Sequence, residues 1–395
     1  MHSVRMLGLA VVAGLMSACG GGGSTQSEQH DPRQPPHDLS LGHLAVVSQD
    51  NDRAAISLYD LGQNKTVLHS ALKQLPSGLY SSPNHGYAVM MDRVAGEVSF
   101  IQAGQTPKLL DYRLYGAAPT HYRNINGQAA VFYDGSDTQS AKFDVFTDQD
   151  IAQGSVATQR LAYKHHGVAE PRGKMVLSSD LAAGETQLSR VKSYAQHGNH
   201  YHEEQTMTQS CPGLHGAASN QHFIGFGCQD GVLLLEQQGQ NFIDHKIATP
   251  VRIGTLLGHE KVNDLVALSS TQQDLFIVDP KTHQADAVAW AEAGIQRLKQ
   301  SFSPSGQYFV ILDHQGRLHI LDTQNWQVVH RVQVFNPEST AIGQVQLAMH
   351  ASQERLFMND VAEQAIIELD VSTGTVLRRI ALEVTPKQLA WVKAE

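Results

Sequence analysis

The chain has 395 residues, a formal net charge of −9, 41% hydrophobic and 17% charged residues. That length exceeds one ordinary α/β domain and leaves two domains or one repetitive fold. The acidic balance offers no basic stripe and argues against a nucleic-acid partner, while 21 histidines against 29 lysines plus arginines make imidazole the anomaly to explain.

Residues 1–18 read as an export signal: Arg5 supplies charge, residues 6–16 are apolar, and small Ser17 and Ala18 lead to Cys19. Leu15-Met16-Ser17-Ala18-Cys19 resembles a bacterial lipobox, which makes Cys19 the expected lipidation site, with a plain secretory signal as the alternative. Gly20, in place of an aspartate, resembles lipoproteins sorted to the outer membrane. Residues 19–40 then form the lipidated cysteine and a Gly, Ser, Gln, Pro and His tether with almost nothing to bury. Beyond the N-terminus no stretch approaches the roughly 18 apolar residues of a membrane span.

From residue 41 to 395 apolar runs are short, rich in Val, Ile, Leu, Tyr and Phe, and separated by Gly, Asp, Asn or Pro turns, an all-β pattern. The best helical periodicity, at 288–298, is short. The segment starting Tyr80-Ser81-Ser82-Pro83 and ending at Asp92 matches the one from Ser301-Phe302-Ser303-Pro304 to Asp313: a strand, a tight turn and a second strand ending in Asp. Taking the end of the second strand as a ruler marks Asp50, Asp92, Asp134, Ser179, Cys228, Ser270, Asp313 and Asp360. Periods of about 40–50 residues with several strands each indicate a β-propeller. Eight marks predict eight blades, seven being the alternative should one unit be spurious. The first unit lacks an innermost strand, and Gln388-Leu389-Ala390-Trp391-Val392 is expected to supply it, closing the ring in the N-terminal blade.

Thirteen residues before the marks, where each innermost strand should begin, stand Leu79, His121, His166, His215, Leu257, Gln300 and Leu347. Three consecutive blades thus place His121, His166 and His215 at one height. Three imidazoles and an open position suit a tetrahedral Zn²⁺ ion; the alternative is three polar plugs bonding strand-end carbonyls. His165 is a secondary candidate, as ligand or supporting partner. So are His200 and His202, which share one face of an extended segment, although a solvated hairpin tip also accounts for them. With Cys19 lipidated, Cys211 and Cys228 are an even pair for which a disulfide is the default in an oxidising compartment, metal ligation being the alternative. No nucleophile elbow, His-Glu-x-x-His, P-loop or dinucleotide fingerprint occurs, so no enzyme is expected.

Cys211-Pro212-Gly213-Leu214-His215-Gly216, Phe226-Gly227-Cys228-Gln229-Asp230-Gly231, His165-His166-Gly167-Val168-Ala169 and Ala130-Val131-Phe132-Tyr133-Asp134-Gly135 resemble the AztD family of periplasmic β-propeller zinc chaperones. The resemblance covers most of the mature chain. It implies a monomeric carrier that binds zinc through His121, His166 and His215 and passes it to the solute-binding protein of a zinc ABC transporter. A metal-free propeller scaffold for protein interaction at the envelope is the rival reading. One departure stands out: residues 107–116, where the family tends to carry a His-Gly-Asp-His loop, contain no histidine.

Overall fold

Side chains along the second strand of each repeat alternate between two apolar environments. In Tyr308–Asp313, Val310 and Leu312 belong to one buried cluster while Phe309 and Ile311 belong to another, because residues i and i+2 share a face of a strand. A sheet apolar on both faces must be stacked between two others. The computed structural model describes residues 38–395 apart from Gln272, and in them that stacking continues until it closes on itself.

Among the described residues, thirty-two strands form eight four-stranded antiparallel blades of a β-propeller. Blade 1 takes its innermost strand, Pro386–Val392, from the C-terminus, followed by His43–Asp50, Arg53–Asp60 and Lys65–Leu72. Blades 2 to 8 follow in chain order, with innermost strands Gly78–Ser81, Pro119–Ile125, Ala169–Arg172, Ala217–Ser219, Ile253–Leu257, Arg297–Phe302 and Leu347–Met349. Eight apolar clusters occupy the eight junctions, one between each pair of neighbours, including that between blades 8 and 1. The seven-bladed alternative is thereby excluded.

Ring closure follows the expected route. His43 pairs with Val392 and Leu44 with Trp391, and Trp391, 4% exposed, donates its indole N–H to the Leu41 carbonyl at 2.8 Å. Leu39–Leu41 form a 3-10 turn against this seam, and His350 reaches the Ser40 carbonyl at 2.9 Å.

Each ruler mark falls within one residue of the end of a second strand. The predicted strand starts are less regular. Leu257 ends its strand instead of opening it, because blade 6 has a long connection between its first two strands. The 288–298 periodicity is not a helix but a loop over 288–296 that runs into the strand Arg297–Phe302: Trp290 is buried there as an anchor, its indole N–H bonded to the Gln273 carbonyl at 2.8 Å. The α-helix that does form, Asp148–Gln153, is set by a Thr147/Asp150 capping box.

Blades 3 and 4 are joined at the rim. The last strand of blade 3, Ala157–Arg160, meets the last strand of blade 4, His200–Thr206, in a parallel Thr158–His200 bridge, so the two blades share one eight-stranded sheet. Among the described residues no helix is long and apolar enough to cross a membrane. The export signal, Cys19 and the tether up to His37 lie outside the described residues.

Candidate metal centre

The blade-to-blade connections and the turns between second and third strands lie on one face of the ring, and three histidines converge there. His121 sits near the start of Pro119–Ile125, while His166 and His215 precede the innermost strands of blades 4 and 5. Both of the latter are followed by glycine. A Cβ on Gly167 would meet Phe132 Cζ at 2.6 Å, and Gly216 adopts φ +75° with the Gly254 carbonyl 3.0 Å from where a Cβ would stand. Only glycine allows the chain to turn this closely beneath the imidazoles.

One ligand atom from each of His121, His166 and His215 lies within 4.8 Å of the other two. Nε2 of His121 is 3.2 Å from Nε2 of His166. Ring centroids are 4.9 Å apart for His121 and His166, 5.5 Å for His166 and His215, and 5.8 Å for His121 and His215. The side chain of His166 is 48% exposed, so the cluster opens to solvent.

The opposite ring nitrogens are held from behind. His166 Nδ1 lies 3.1 Å from Asp134 Oδ2, and His215 Nδ1 lies 2.8 Å from the Gly254 carbonyl. A carboxylate and a carbonyl can only accept, so both Nδ1 atoms donate, the tautomer that in a neutral imidazole leaves the lone pair on Nε2. This arrangement supports imidazole metal ligands. His121 has its pKa lowered to about 3, first by burial and then by His166, His215 and Arg123, against an opposing pull from Asp134. It is therefore neutral near pH 7 and offers a lone pair as well. Arg123 is itself paired with buried Glu170 at 2.9 Å.

Asp134 is buried and also accepts from Arg93 at 2.7 Å. Burial works against its ionisation, but the hydrogen bonds from His166 and Arg93 prevail and hold its pKa below the usual carboxylate value. Its other oxygen, Oδ1, is buried without a hydrogen-bond partner. The sequence marks Asp134 only as a strand end, thirteen residues beyond His121 in the same blade. Arg93 and the Gly254 carbonyl carried no sequence signal, since their positions follow from ring geometry.

The remaining candidates fall elsewhere. His165 turns away from the cluster, its Nδ1 3.0 Å from the Tyr163 carbonyl, its Nε2 3.3 Å from that of Ser179 and its ring against Phe132. Burial lowers its pKa despite these carbonyls. His200 and His202 are exposed on the outer hairpin of blade 4. Cys211 and Cys228 form a disulfide, and it encloses the segment that carries His215. Residues 107–116 contain the outermost strand of blade 2, Lys108–Tyr115.

The chain is 21% identical over 382 residues to the zinc chaperone AztD of Citrobacter koseri, covering 90% of this chain and 87% of that protein. The chain is AztD-like. A crystal structure of Citrobacter koseri AztD superimposes with a TM-score of 0.75 at 18% identity, over 89% of this chain and 98% of the other. Apo AztD from the same organism gives 0.74 at 20% identity, over 89% and 97%. A more distant likeness, to the dihydro-heme d1 dehydrogenase NirN, has a TM-score of 0.62 at 10% identity over 91% of this chain and 77% of that one. No family model matches the sequence.

Proposed function

We propose that this AztD-like chain is a zinc carrier that holds Zn²⁺ through His121, His166 and His215 and hands it to the solute-binding protein of a zinc ABC transporter. The observation that carries the reading is the convergence of three imidazole ligand atoms within 4.8 Å, two of them with the remote nitrogen already bonded. Zinc prefers such a nitrogen set, and three protein ligands leave a position open for exchange. Exposure of His166 gives an acceptor access to the ion. The likeness to a zinc chaperone supports the same reading.

The work of the site is binding and release without turnover. The carboxylate that meets the cluster, Asp134, is engaged by His166 and Arg93 and so is not free to act as a base in hydrolysis. Export to the periplasm, lipidation at Cys19 with sorting to the outer membrane, and a monomeric carrier complete the proposal; the disulfide accords with an oxidising compartment.

Zinc stoichiometry and affinity of the mature protein, measured beside a His121→Ala/His166→Ala/His215→Ala variant, test the site. Loss of the tightest zinc equivalent in the variant is expected, and equal binding by both proteins would remove it. Mixing the zinc-loaded chain with a candidate solute-binding protein then tests delivery: transfer must outrun spontaneous dissociation of zinc.

A further inference from the structure

On the face opposite the three histidines, the outer hairpin of blade 4 ends in His197-Gly198-Asn199-His200-Tyr201-His202. Gly198, at φ +66°, makes the turn. His197 and His200 are direct register partners across the hairpin, and His202 stands opposite Ala195. Opposed residues of an antiparallel pair share a face, as do i and i+2 along a strand. All three imidazoles therefore project from one side of the hairpin. Tyr201, of the other parity, is buried in the junction with blade 3.

The rings are gathered: centroids are 4.7 Å apart for His197 and His202, 4.9 Å for His200 and His202, and 6.5 Å for His197 and His200. Nε2 of His200 and Nε2 of His202 are 3.1 Å apart, and all three residues are exposed. Their backbone is fixed from outside the hairpin. The Thr158 N–H donates to the Asn199 carbonyl at 3.0 Å, beside the parallel bridge at His200. A rigid hairpin with three solvent-facing imidazoles on one side needs only side-chain rotation to ligate an ion, and the backbone ordering cost is already met by the fold.

We propose that His197, His200 and His202 form a second metal site, taking a divalent ion that favours imidazole, Zn²⁺ in the first instance, independently of His121, His166 and His215. Being exposed, the site exchanges its ion with solution more readily than the half-buried cluster on the other face.

Equilibrium dialysis of the full chain against Zn²⁺ at neutral pH tests this, with a His197→Gln/His200→Gln/His202→Gln variant, the His121→Ala/His166→Ala/His215→Ala variant and their combination. The hairpin variant should bind one equivalent fewer than the unmodified chain, and the combination one fewer than the second variant. No difference in either comparison overturns the hairpin site. Failure of the other site looks different, as equal binding by the unmodified chain and the second variant. On the unmodified chain, Zn²⁺ should slow diethyl pyrocarbonate modification of His200 and His202, read by peptide mass mapping. Unchanged modification likewise overturns the proposal.

Discussion

His166 and Asp134 come from different blades, yet Nδ1 of one lies 3.1 Å from Oδ2 of the other. The carboxylate both selects the tautomer of His166 and makes its free nitrogen a better donor. Replacing it by Asp134→Asn keeps the shape and removes the charge. Zinc affinity should fall roughly 10–100-fold, as expected for a partner behind a metal ligand. A competition titration with a chromogenic chelator reads the change, and undiminished affinity would show that Asp134 does not serve the site.

The disulfide between Cys211 and Cys228 closes a segment with a sequence separation of 17 that includes His215. Closing a loop of this size stabilises a fold by about 3 kcal/mol through the unfolded chain. Cys211→Ser/Cys228→Ser should lower the denaturation midpoint and weaken zinc binding together, because His215 loses its nearest covalent restraint. Loss of stability with zinc affinity intact would assign the bond to the fold alone.

Trp391 links the seam on three sides: its strand pairs with His43–Asp50, its ring lies 4.2 Å from that of His350, and its indole N–H reaches Leu41. Truncating such a buried aromatic costs about 3–5 kcal/mol. Trp391→Ala should therefore open the ring at blade 1, and limited proteolysis should cut first near the two chain ends. Cleavage starting elsewhere would contradict a closure held by this strand.

His350 is neutral by construction. Its Nδ1 accepts from the Ser352 and Gln353 N–H groups, at 3.0 and 2.9 Å, so Nε2 carries the proton given to Ser40. Burial lowers its pKa from 6.5, and burial lowers that of neighbouring His85 as well. Below that value the unfolded chain binds more protons than the folded one, so stability falls as pH drops through about 6.5. His350→Asn retains an acceptor for the two N–H groups and cannot titrate. Its melting temperature should change less between pH 7.5 and 5 than that of the unmodified chain, and parallel slopes would rule His350 out as a source.

The ring was legible because it is periodic: the same Asp-terminated second strand recurs, and alternating apolar residues require a neighbour on both faces. Closure by residues 388–392 was legible from a strand missing at one end and spare at the other. Blade 6 was not, since a ruler measured back from one strand cannot see a lengthened connection before it. At the site, His121, His166 and His215 share a height in sequence, whereas Asp134 meets His166, Arg93 meets Asp134 and Gly254 meets His215 across blade boundaries that only the folded ring defines. Other histidines proved structural, as with His319, buried 2.8 Å from Asp313, and His43 beside Asp60. Their carboxylate partners lie 6 and 17 residues away, spacings that mean nothing until the strands are paired.

Because blade 1 is completed by the C-terminal strand, the turn at Leu39–Leu41 and the last residues after Val392 emerge side by side, on the face away from His121, His166 and His215. The ring thus has a polarity: both ends of the described chain leave one face, and the three imidazoles open on the other. A surface that holds the ring itself at Leu39–Leu41 or just after Val392 leaves the three imidazoles facing solution, and an acceptor protein can approach them without crossing the point of contact.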